Sequence, residues 1–468
     1  MLKLSRCAFL LVLVNVCLNC GCGVGTNNTP INTFPAVVFS DVHFNPFDDA
    51  TLCPALLAAD AGDWESVFKT SIKTTPSTWG NDTNYPLLVV ALSGIKRNLG
   101  ASPVIIFTGD LIGHNMSNLL NQDCGTQSQA TMQAFVDKTA AFVMQQVRAS
   151  VGNIPVVFAV GNNDSYTGLG PDSTFLSNTA DLFYTDFLIG TTDEQTFLNT
   201  FKSGGYYSAE PIGTNLMVIG LNTNPFSPLP AGVPGNNDSA VAAELAWLDT
   251  SLASAQAGGK KVWLLMHIPP GASTVSTAPS FATNGYLTIA AAVMMWMPEY
   301  QAHFLTILSK YPGVITLTLG AHTHRDEFRI MSADNVLDIT PSISPCFGND
   351  PAFKIFTFTQ DTFTPTDYRS LNYDLATMPS QFASYYTFST AYSMRGSLNS
   401  SLAKLYPALV TNNAKQGPYR EQYNSGNNSI NSSTNMNWNP ITYPDWPVFA
   451  CGIGKMEQQD FVDCVNSY

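Results

Sequence analysis

Basic residues are scarce in this chain of 468 residues, which carries 21 Lys and Arg against 34 Asp and Glu. The formal net charge is −13 and the pI is about 4.7. These values exclude a nucleic-acid-binding surface, because a broad acidic face repels phosphates. An anionic substrate must therefore be held locally, as bound metal ions would hold it.

Charged residues of both signs make up only 12% of the chain, whereas hydrophobic residues make up 45%. This composition excludes a disordered chain, which needs low hydrophobicity and high charge. The length allows a large core, so we expect one large α/β domain with a smaller appendage. We expect a monomer.

Long apolar runs are absent beyond the first twenty residues, so we expect no integral membrane span. The chain starts with a basic segment, residues 1–6, followed by an apolar run, residues 7–16, that is too short to span a bilayer comfortably. We interpret residues 1–24 as a signal peptide, with an N-terminal anchor as the alternative. The protein is then secreted or extracytoplasmic, in a lysosome-like compartment or a periplasm among other destinations.

Cysteine is also infrequent, with nine in the chain and five beyond the predicted signal peptide. An exported protein favours disulfides, and an odd number leaves one thiol over. Cys451 and Cys464 both lie in the last segment, and we expect them to pair. Sequons such as Asn81-Asp-Thr83 would permit glycosylation in a eukaryotic secretory route.

Only six histidines occur, and all except His303 follow short apolar runs. Such β-rich runs predict buried parallel strands, and α/β folds place their functional groups at the carboxyl ends of those strands. Asp, Asn and His at these ends are ligands that suit zinc, iron or manganese. The runs and the polar residues after them are 36–40 with Asp41 and His43, 104–108 with Asp110 and His114, 156–160 with Asn162 and Asn163, 262–266 with His267, and 314–319 with His322 and His324.

Five such motifs in order predict a centre with two metals, although one Asp-x-His or Gly-Asp alone would mean little. Two metals bridged by a carboxylate supply a nucleophile and neutralise charge in phosphoester cleavage. We predict Asp110 as the bridging carboxylate. The ligands predicted for one metal are Asp41, His43 and His324, and those for the other are Asn162, His267 and His322.

These motifs resemble those of the calcineurin-like metallophosphoesterases. Within that group, Gly109-Asp-Leu-Ile-Gly-His114, His267-Ile-Pro-Pro-Gly271 and His322-Thr-His-Arg-Asp-Glu-Phe328 are similar to acid sphingomyelinases and their acid sphingomyelinase-like phosphodiesterase relatives. The stretches Pro341-Ser-Ile-Ser-Pro345 and Asn349-Asp-Pro-Ala-Phe353 and the tail from Cys451 to Cys464 extend the likeness over most of the chain.

The resemblance implies a four-layer α/β/β/α metallophosphoesterase sandwich at residues 33–366 and a small, mostly helical C-terminal subdomain at residues 367–468. Residues 380–409 in particular are expected to be largely helical. The resemblance also implies two divalent metal ions, with zinc favoured over iron or manganese.

The implied activity is that of an exported phosphoric diester hydrolase, which cleaves phosphodiester or nucleotide phosphoanhydride bonds by attack of a metal-bridging hydroxide. By the family pattern His114 protonates or orients the leaving group, and the alternative is a histidine that only positions its loop. Acid sphingomyelinases also carry an N-terminal saposin domain, for which the residues before Asp41 leave no room. This favours a soluble phosphodiester or nucleotide over a phospholipid headgroup.

Two residues depart from the family pattern. Asn163 stands where the family has a histidine that assists the phosphate, and an amide donates a hydrogen bond but cannot shuttle a proton. Ala321 replaces a glycine and fits only if its backbone angles are ordinary.

Three alternatives to the implied activity stay open. They are a sphingomyelin phosphodiesterase releasing ceramide and phosphocholine, a phosphomonoesterase, and a catalytically weakened metal-binding protein.

Overall fold

The computed structural model describes residues 32–228, 238–427, 441–442 and 444–468, and the predicted signal peptide lies outside these ranges. The strands of the described residues are β1 (Thr33–Phe39), β2 (Ile105–Phe107), β3 (Val156–Phe158), β4 (Tyr207–Ala209), β5 (Leu216–Gly220), β6 (Lys261–Leu265), β7 (Ile315–Gly320), β8 (Glu327–Ile330), β9 (Val336–Ile339), β10 (Ala352–Thr359), β11 (Pro365–Asn372) and β12 (Ala383–Thr387). The α-helices are α1 (Cys53–Ala58), α2 (Trp64–Phe68), α3 (Tyr85–Arg97), α4 (Met116–Cys124), α5 (Gln129–Val151), α6 (Ser173–Phe183), α7 (Glu194–Gly204), α8 (Asp238–Ala257), α9 (Thr274–Asn284), α10 (Pro298–Ser309), α11 (Phe388–Tyr392), α12 (Leu398–Thr411), α13 (Asn413–Gln422), α14 (Trp446–Gly454) and α15 (Gln458–Asn466).

The strands form two six-stranded sheets, with the order β12-β11-β10-β1-β2-β3 in the first and β4-β5-β6-β7-β9-β8 in the second. Strands β1, β2 and β3 are parallel, and so are β5, β6 and β7. In the first sheet Val38 lies opposite Ile106, which lies opposite Val157. The polar residues after β1, β2 and β3 therefore meet at one edge, and those after β6 and β7 meet at the corresponding edge of the second sheet.

The alternating side chains of β6 show how the layers stack. Trp263 faces the first sheet, where its ring centroid lies 4.4 Å from that of Phe358 in β10. Val262 and Leu264 belong instead to the core between the second sheet and helices α8 and α10. Helices α3 and α5 cover the outside of the first sheet, and Phe142 of α5 lies 5.3 Å from the ring of Phe44. The arrangement is the predicted α/β/β/α sandwich.

Helix α5 lies between β2 and β3, and local signals mark both of its ends. The Ser128 side chain accepts a hydrogen bond from the Thr131 amide at the start, and Gly152 ends the helix with a φ of 67°. Between these caps, apolar side chains such as Phe135, Phe142 and Val143 are buried.

The first sheet extends past residue 366, the position that we expected for the end of the sandwich domain. Strand β11 crosses it and pairs with β10 and β12. Residues 383–387, expected to be helical, form β12, where the Tyr386 hydroxyl donates to the buried Asp326 carboxylate at 2.8 Å. Pairing with a distant strand thus overrides the local pattern, and the mostly helical part starts at Phe388.

Two disulfides tie helices together. Cys451–Cys464, the predicted pair, joins α14 to α15, and Cys53–Cys124 joins α1 to α4. Cys346 is buried as a free thiol. No helix in the described ranges has the length and apolar character to cross a bilayer.

Candidate metal centre

Most of the predicted ligands sit on a left-handed backbone directly after their strands. Positive φ angles occur at Asp41 (49°), His43 (45°), Asp110 (64°), His322 (71°) and His324 (62°). These angles are uncommon for residues other than glycine, and such strain is typical of functional sites. The sharp turns redirect the side chains across the strand ends into the space between the two sheets.

The first ligand group consists of Asp41, His43 and His324, all of which are buried. The Nε2 atom of His324 lies 3.5 Å from Oδ1 of Asp41, and Nε2 of His43 lies 3.7 Å from the same oxygen. The two Nε2 atoms are 3.0 Å apart. The group therefore brings one carboxylate and two imidazoles to one point, in the combination predicted for one metal.

The second group consists of Asp110, His267 and His322, with the amide of Asn162 beside them. Nε2 of His267 lies 3.1 Å from Oδ2 of Asp110 and 3.2 Å from Oδ1 of Asn162. The same Oδ2 atom is 3.3 Å from Nε2 of His43 in the first group. Asp110 thus lies between the groups, at the position predicted for a shared carboxylate.

Backbone carbonyls fix the orientation of two of the imidazoles. Nδ1 of His267 lies 2.8 Å from the carbonyl oxygen of Thr108, and Nδ1 of His43 lies 3.2 Å from that of Ile112. A ring whose Nδ1–H donates to a carbonyl presents Nε2 as a lone pair to a metal.

The electrostatics of the groups favour a cation between the ligands. Burial opposes the charged form of His43, but the negative charges of Asp110 and Asp41 raise its pKa to about 9. Burial likewise opposes a charge on His267, and Asp110 raises its pKa to about 9. Burial and the charge of His267 lower the pKa of His322 to about 3. Each group thus contains one imidazole, His43 or His267, whose pKa is raised by the surrounding carboxylates. The same negative charge would attract a metal ion to that place.

The unsatisfied atoms of the site also fit metal ions. Both carboxylate oxygens of Asp41 are buried without a hydrogen-bond partner among the described residues. A buried carboxylate in this state is costly unless a cation satisfies it. Together with the close approach of two imidazole nitrogens, this donor set matches two divalent ions with nitrogen and oxygen ligands.

His114 lies beside the first group and is held by Asp82. Its ring stacks on His43 with centroids 4.1 Å apart, and its Nδ1 atom lies 2.9 Å from Oδ1 of Asp82. The other Asp82 oxygen accepts from the His114 amide at 2.7 Å. Asp82 was not predicted as a site residue, because it lies 32 residues from His114 in a loop without strand or helix periodicity.

Asn163 points its amide at the shared carboxylate. Its backbone N–H donates to Oδ1 of Asp110 at 2.7 Å, and its side-chain amide donates to Oδ2 at 3.0 Å. Asp164, which was also missed as a site residue, accepts from the amides of Gly161, Asp110 and Leu111 at 2.7–2.9 Å. Burial and the charge of Asp110 raise the pKa of Asp164 to about 6.

A cavity of about 220 Å³ opens in front of the ligands. His114, Asn163, Arg325, Phe347 and Tyr423 line it together with metal ligands of both groups. The φ angle of Ala321 is not positive, so alanine fits at this position without backbone strain. His303 lies away from this site on the exposed side of α10.

Comparisons with known proteins show which sequences this chain resembles. The family model of calcineurin-like phosphoesterases matches residues 34–326. The chain is 27% identical over 397 residues to sphingomyelinase phosphodiesterase D of Dictyostelium discoideum, covering 78% of this chain and 81% of that protein. It is 24% identical over 480 residues to cyclic GMP-AMP phosphodiesterase SMPDL3A of Mus musculus, covering 96% of each.

Among solved structures, a dimetal phosphatase from Danio rerio is similar with a TM-score of 0.39 and 12% identity, over 75% of this chain and 98% of that one. The family model spans more than half of the 468 residues and includes every predicted ligand. This chain therefore belongs to the calcineurin-like phosphoesterase family.

Proposed function

We propose that this protein is an exported dinuclear-metal phosphodiesterase. The observation that carries the proposal is the position of Asp110, whose Oδ2 lies 3.3 Å and 3.1 Å from imidazole nitrogens of two separate ligand groups. A shared carboxylate between two metals is the arrangement used for in-line displacement at phosphorus. The names of the relatives support a phosphodiester as the substrate class.

In this proposal, Asp41, His43 and His324 hold one divalent ion, and Asn162, His267 and His322 hold the other. Zinc is the metal that we favour for this set of imidazoles and carboxylates, over iron or manganese. When bound, the two ions supply an activated water and neutralise negative charge on the phosphate.

We assign to His114 the protonation of the leaving oxygen. Asp82 binds its Nδ1 and its backbone amide, which fixes the ring at the cavity wall and leaves Nε2 for the substrate. A proton donor within hydrogen-bond reach of a leaving oxygen contributes ~10²–10⁴ in rate.

We propose that Asn163 orients Asp110 through its two hydrogen bonds.

The two disulfides support export, because they persist in oxidising compartments.

Asp110→Asn tests the proposal. This substitution removes the shared charge with little change in shape, so we expect loss of bound metal and a decrease in phosphodiesterase rate of at least ~10²–10³, the range for removing one group that stabilises charge. Elemental analysis and turnover of bis(p-nitrophenyl) phosphate by zinc-loaded protein provide the measurements. His303→Ala, a histidine change outside the site, is the control and should alter neither.

A sphingomyelin phosphodiesterase is the second candidate, because similar proteins of Dictyostelium discoideum carry that name. Hydrolysis of sphingomyelin in mixed micelles at a rate above that of nucleotides would favour it. If zinc-loaded protein turns over neither these substrates nor p-nitrophenyl phosphate, the protein is a metal-binding protein without phosphoesterase activity.

A further inference from the structure

Arg325 is a buried cation that forms no salt bridge among the described residues, although the charge of Glu327 acts on it at longer range. It is only 3% exposed, and its Nε–H has no hydrogen-bond partner among the described residues. None of the ion pairs in the described ranges includes it, and the stretches outside those ranges contain no Asp or Glu. Its buried neighbours differ, since Arg329 lies 3.8 Å from Glu327 and Lys354 lies 2.7 Å from Asp326.

The Arg325 side chain is held rigidly at the wall of the cavity. Nη1 donates to the side-chain oxygen of Asn424 at 2.6 Å, and Nη2 donates to the carbonyl oxygen of Phe347 at 2.9 Å. The guanidinium carbon lies 5.7 Å from the centroid of the Tyr423 ring. Both of its hydrogen-bond acceptors are neutral, so they fix its direction but do not neutralise its charge.

Arg325 lines the same cavity as the metal ligands, one residue after His324. A buried and unpaired guanidinium is costly, and a bound anion would remove that cost. Guanidinium groups bind phosphate oxygens through charge-assisted hydrogen bonds that are stronger than neutral ones. Metals bound as proposed would bind the phosphate that is attacked, so the charge of Arg325 would be available to a second anionic group of the same ligand.

We propose that Arg325 forms a subsite for a second phosphate, so that the cavity takes phosphoesters with a further anionic group, such as nucleoside diphosphates. The inference rests on the proposed function for the place of the first phosphate. A phosphocholine headgroup carries an ammonium instead, and a fixed positive charge repels it. The subsite therefore favours nucleotide phosphoanhydrides over sphingomyelin.

Binding tests the subsite without turnover. Imidodiphosphate, which carries two phosphoryl groups, and inorganic phosphate, which carries one, are titrated into zinc-loaded protein by calorimetry. We expect Arg325→Met to weaken imidodiphosphate binding ~10- to 100-fold, the range for hydrogen bonds to charged groups, and phosphate binding less than ~3-fold. Equal weakening of both ligands, or of neither, would overturn the proposal.

A second variant keeps the arginine and its packing. Asn424→Asp places a carboxylate against the guanidinium at an existing contact of 2.6 Å, and we expect it to weaken imidodiphosphate binding as Arg325→Met does. Asn98→Asp is the matched control, because Asn98 accepts from Arg369 at 3.1 Å on the exposed surface. Unchanged imidodiphosphate binding by folded Asn424→Asp protein would contradict the subsite even if Arg325→Met does not fold.

Kinetics separate this proposal from the proposed function. We expect Arg325→Met to lower kcat/KM for ADP ~10- to 100-fold, to leave bis(p-nitrophenyl) phosphate within ~3-fold, and to raise kcat/KM for p-nitrophenyl phosphorylcholine because the repulsion of its ammonium is removed. If the unsubstituted protein cleaves none of these substrates, the phosphodiesterase proposal fails, while the binding difference still decides the subsite. If it cleaves bis(p-nitrophenyl) phosphate and Arg325→Met cleaves ADP equally well, the subsite alone is wrong.

Discussion

His114 shows how one side chain combines a fixed direction with access to substrate. Asp82 binds it twice, its ring stacks on His43, and 31% of its side chain remains exposed. The sequence indicated His114 through its motif alone. Asp82 could not be found in this way, because only the folded loop brings it within 2.9 Å of the ring.

Replacing His114 tests its role as proton donor. A leaving group with a low pKa departs without a proton, so we expect His114→Ala to slow esters with poor leaving groups ~10²–10⁴-fold and p-nitrophenyl esters much less. A series of phosphodiesters that differ in leaving-group pKa provides the measurement. Equal losses across the series would remove the assignment and leave His114 as a residue that positions its loop.

Asn163 permits the opposite kind of substitution. Asn163→His restores the residue found in the family pattern, and we expect an equal or higher rate with bis(p-nitrophenyl) phosphate. The backbone N–H of residue 163, which binds Asp110 at 2.7 Å, is retained in this variant. A collapse of activity with unchanged metal content would show that the side-chain bond of Asn163 to Asp110 is required.

At the scale of the elements, the sequence predicted the strands that carry the ligands because their apolar runs are continuous and end abruptly. Strands β6 and β7 lie within a few residues of the predicted ranges. Strand β12 was missed because its residues are less buried and its pairing with β11 is a contact distant in sequence. The left-handed angles at the ligands have only a weak local signal, since Asp and His are enriched at such angles but adopt them in a small minority of cases.

Helix α8 contains a buried acid that predicts a pH effect on stability. The Glu244 carboxylate accepts from the Asn222 amide at 2.8 Å, and burial raises the pKa of Glu244 well above its usual range. The folded protein therefore retains a proton that the unfolded chain loses near pH 4.5, so stability decreases as the pH rises above that value.

Glu244→Gln keeps the shape and removes the titration. We expect a Tm roughly 2–4 °C higher than that of the unsubstituted protein at neutral pH, the change that about 1 kcal/mol produces in a large domain, and no difference near pH 4. Thermal unfolding followed by circular dichroism at both pH values provides the measurement. A constant difference at both values would mean that the carboxylate acts through packing and not through its proton.

At the scale of the whole molecule, the centre joins the two sheets. Asp41, Asp110 and Asn162 follow strands of the first sheet, whereas His267 and His324 follow strands of the second. Away from the centre, Lys354 of β10 makes a further link through its ion pair with Asp338 of β9, at 2.7 Å. The sequence could order the ligands along the chain, but only the stacking of the sheets brings them together.

Metal removal should therefore destabilise the fold as well as abolish activity. A ligand at 100 to 1,000 times its Kd stabilises the state that binds it by about 3–4 kcal/mol, so we expect chelation to lower the Tm by several degrees and zinc to restore it. Differential scanning calorimetry measures the shift. Asp110→Asn protein, which lacks the shared ligand, should show a smaller shift, and an identical one would place the stabilising metal elsewhere.

The division of the ligands between two sheets has a consequence for how the protein matures. A newly made chain that has finished only β1, β2 and β3 has two aspartates, one histidine and one asparagine of the proposed ligands, and these alone give a loose and incomplete chelate. Tight capture of either ion must await the second sheet, because His267 and His322 complete one ligand group and His324 completes the other.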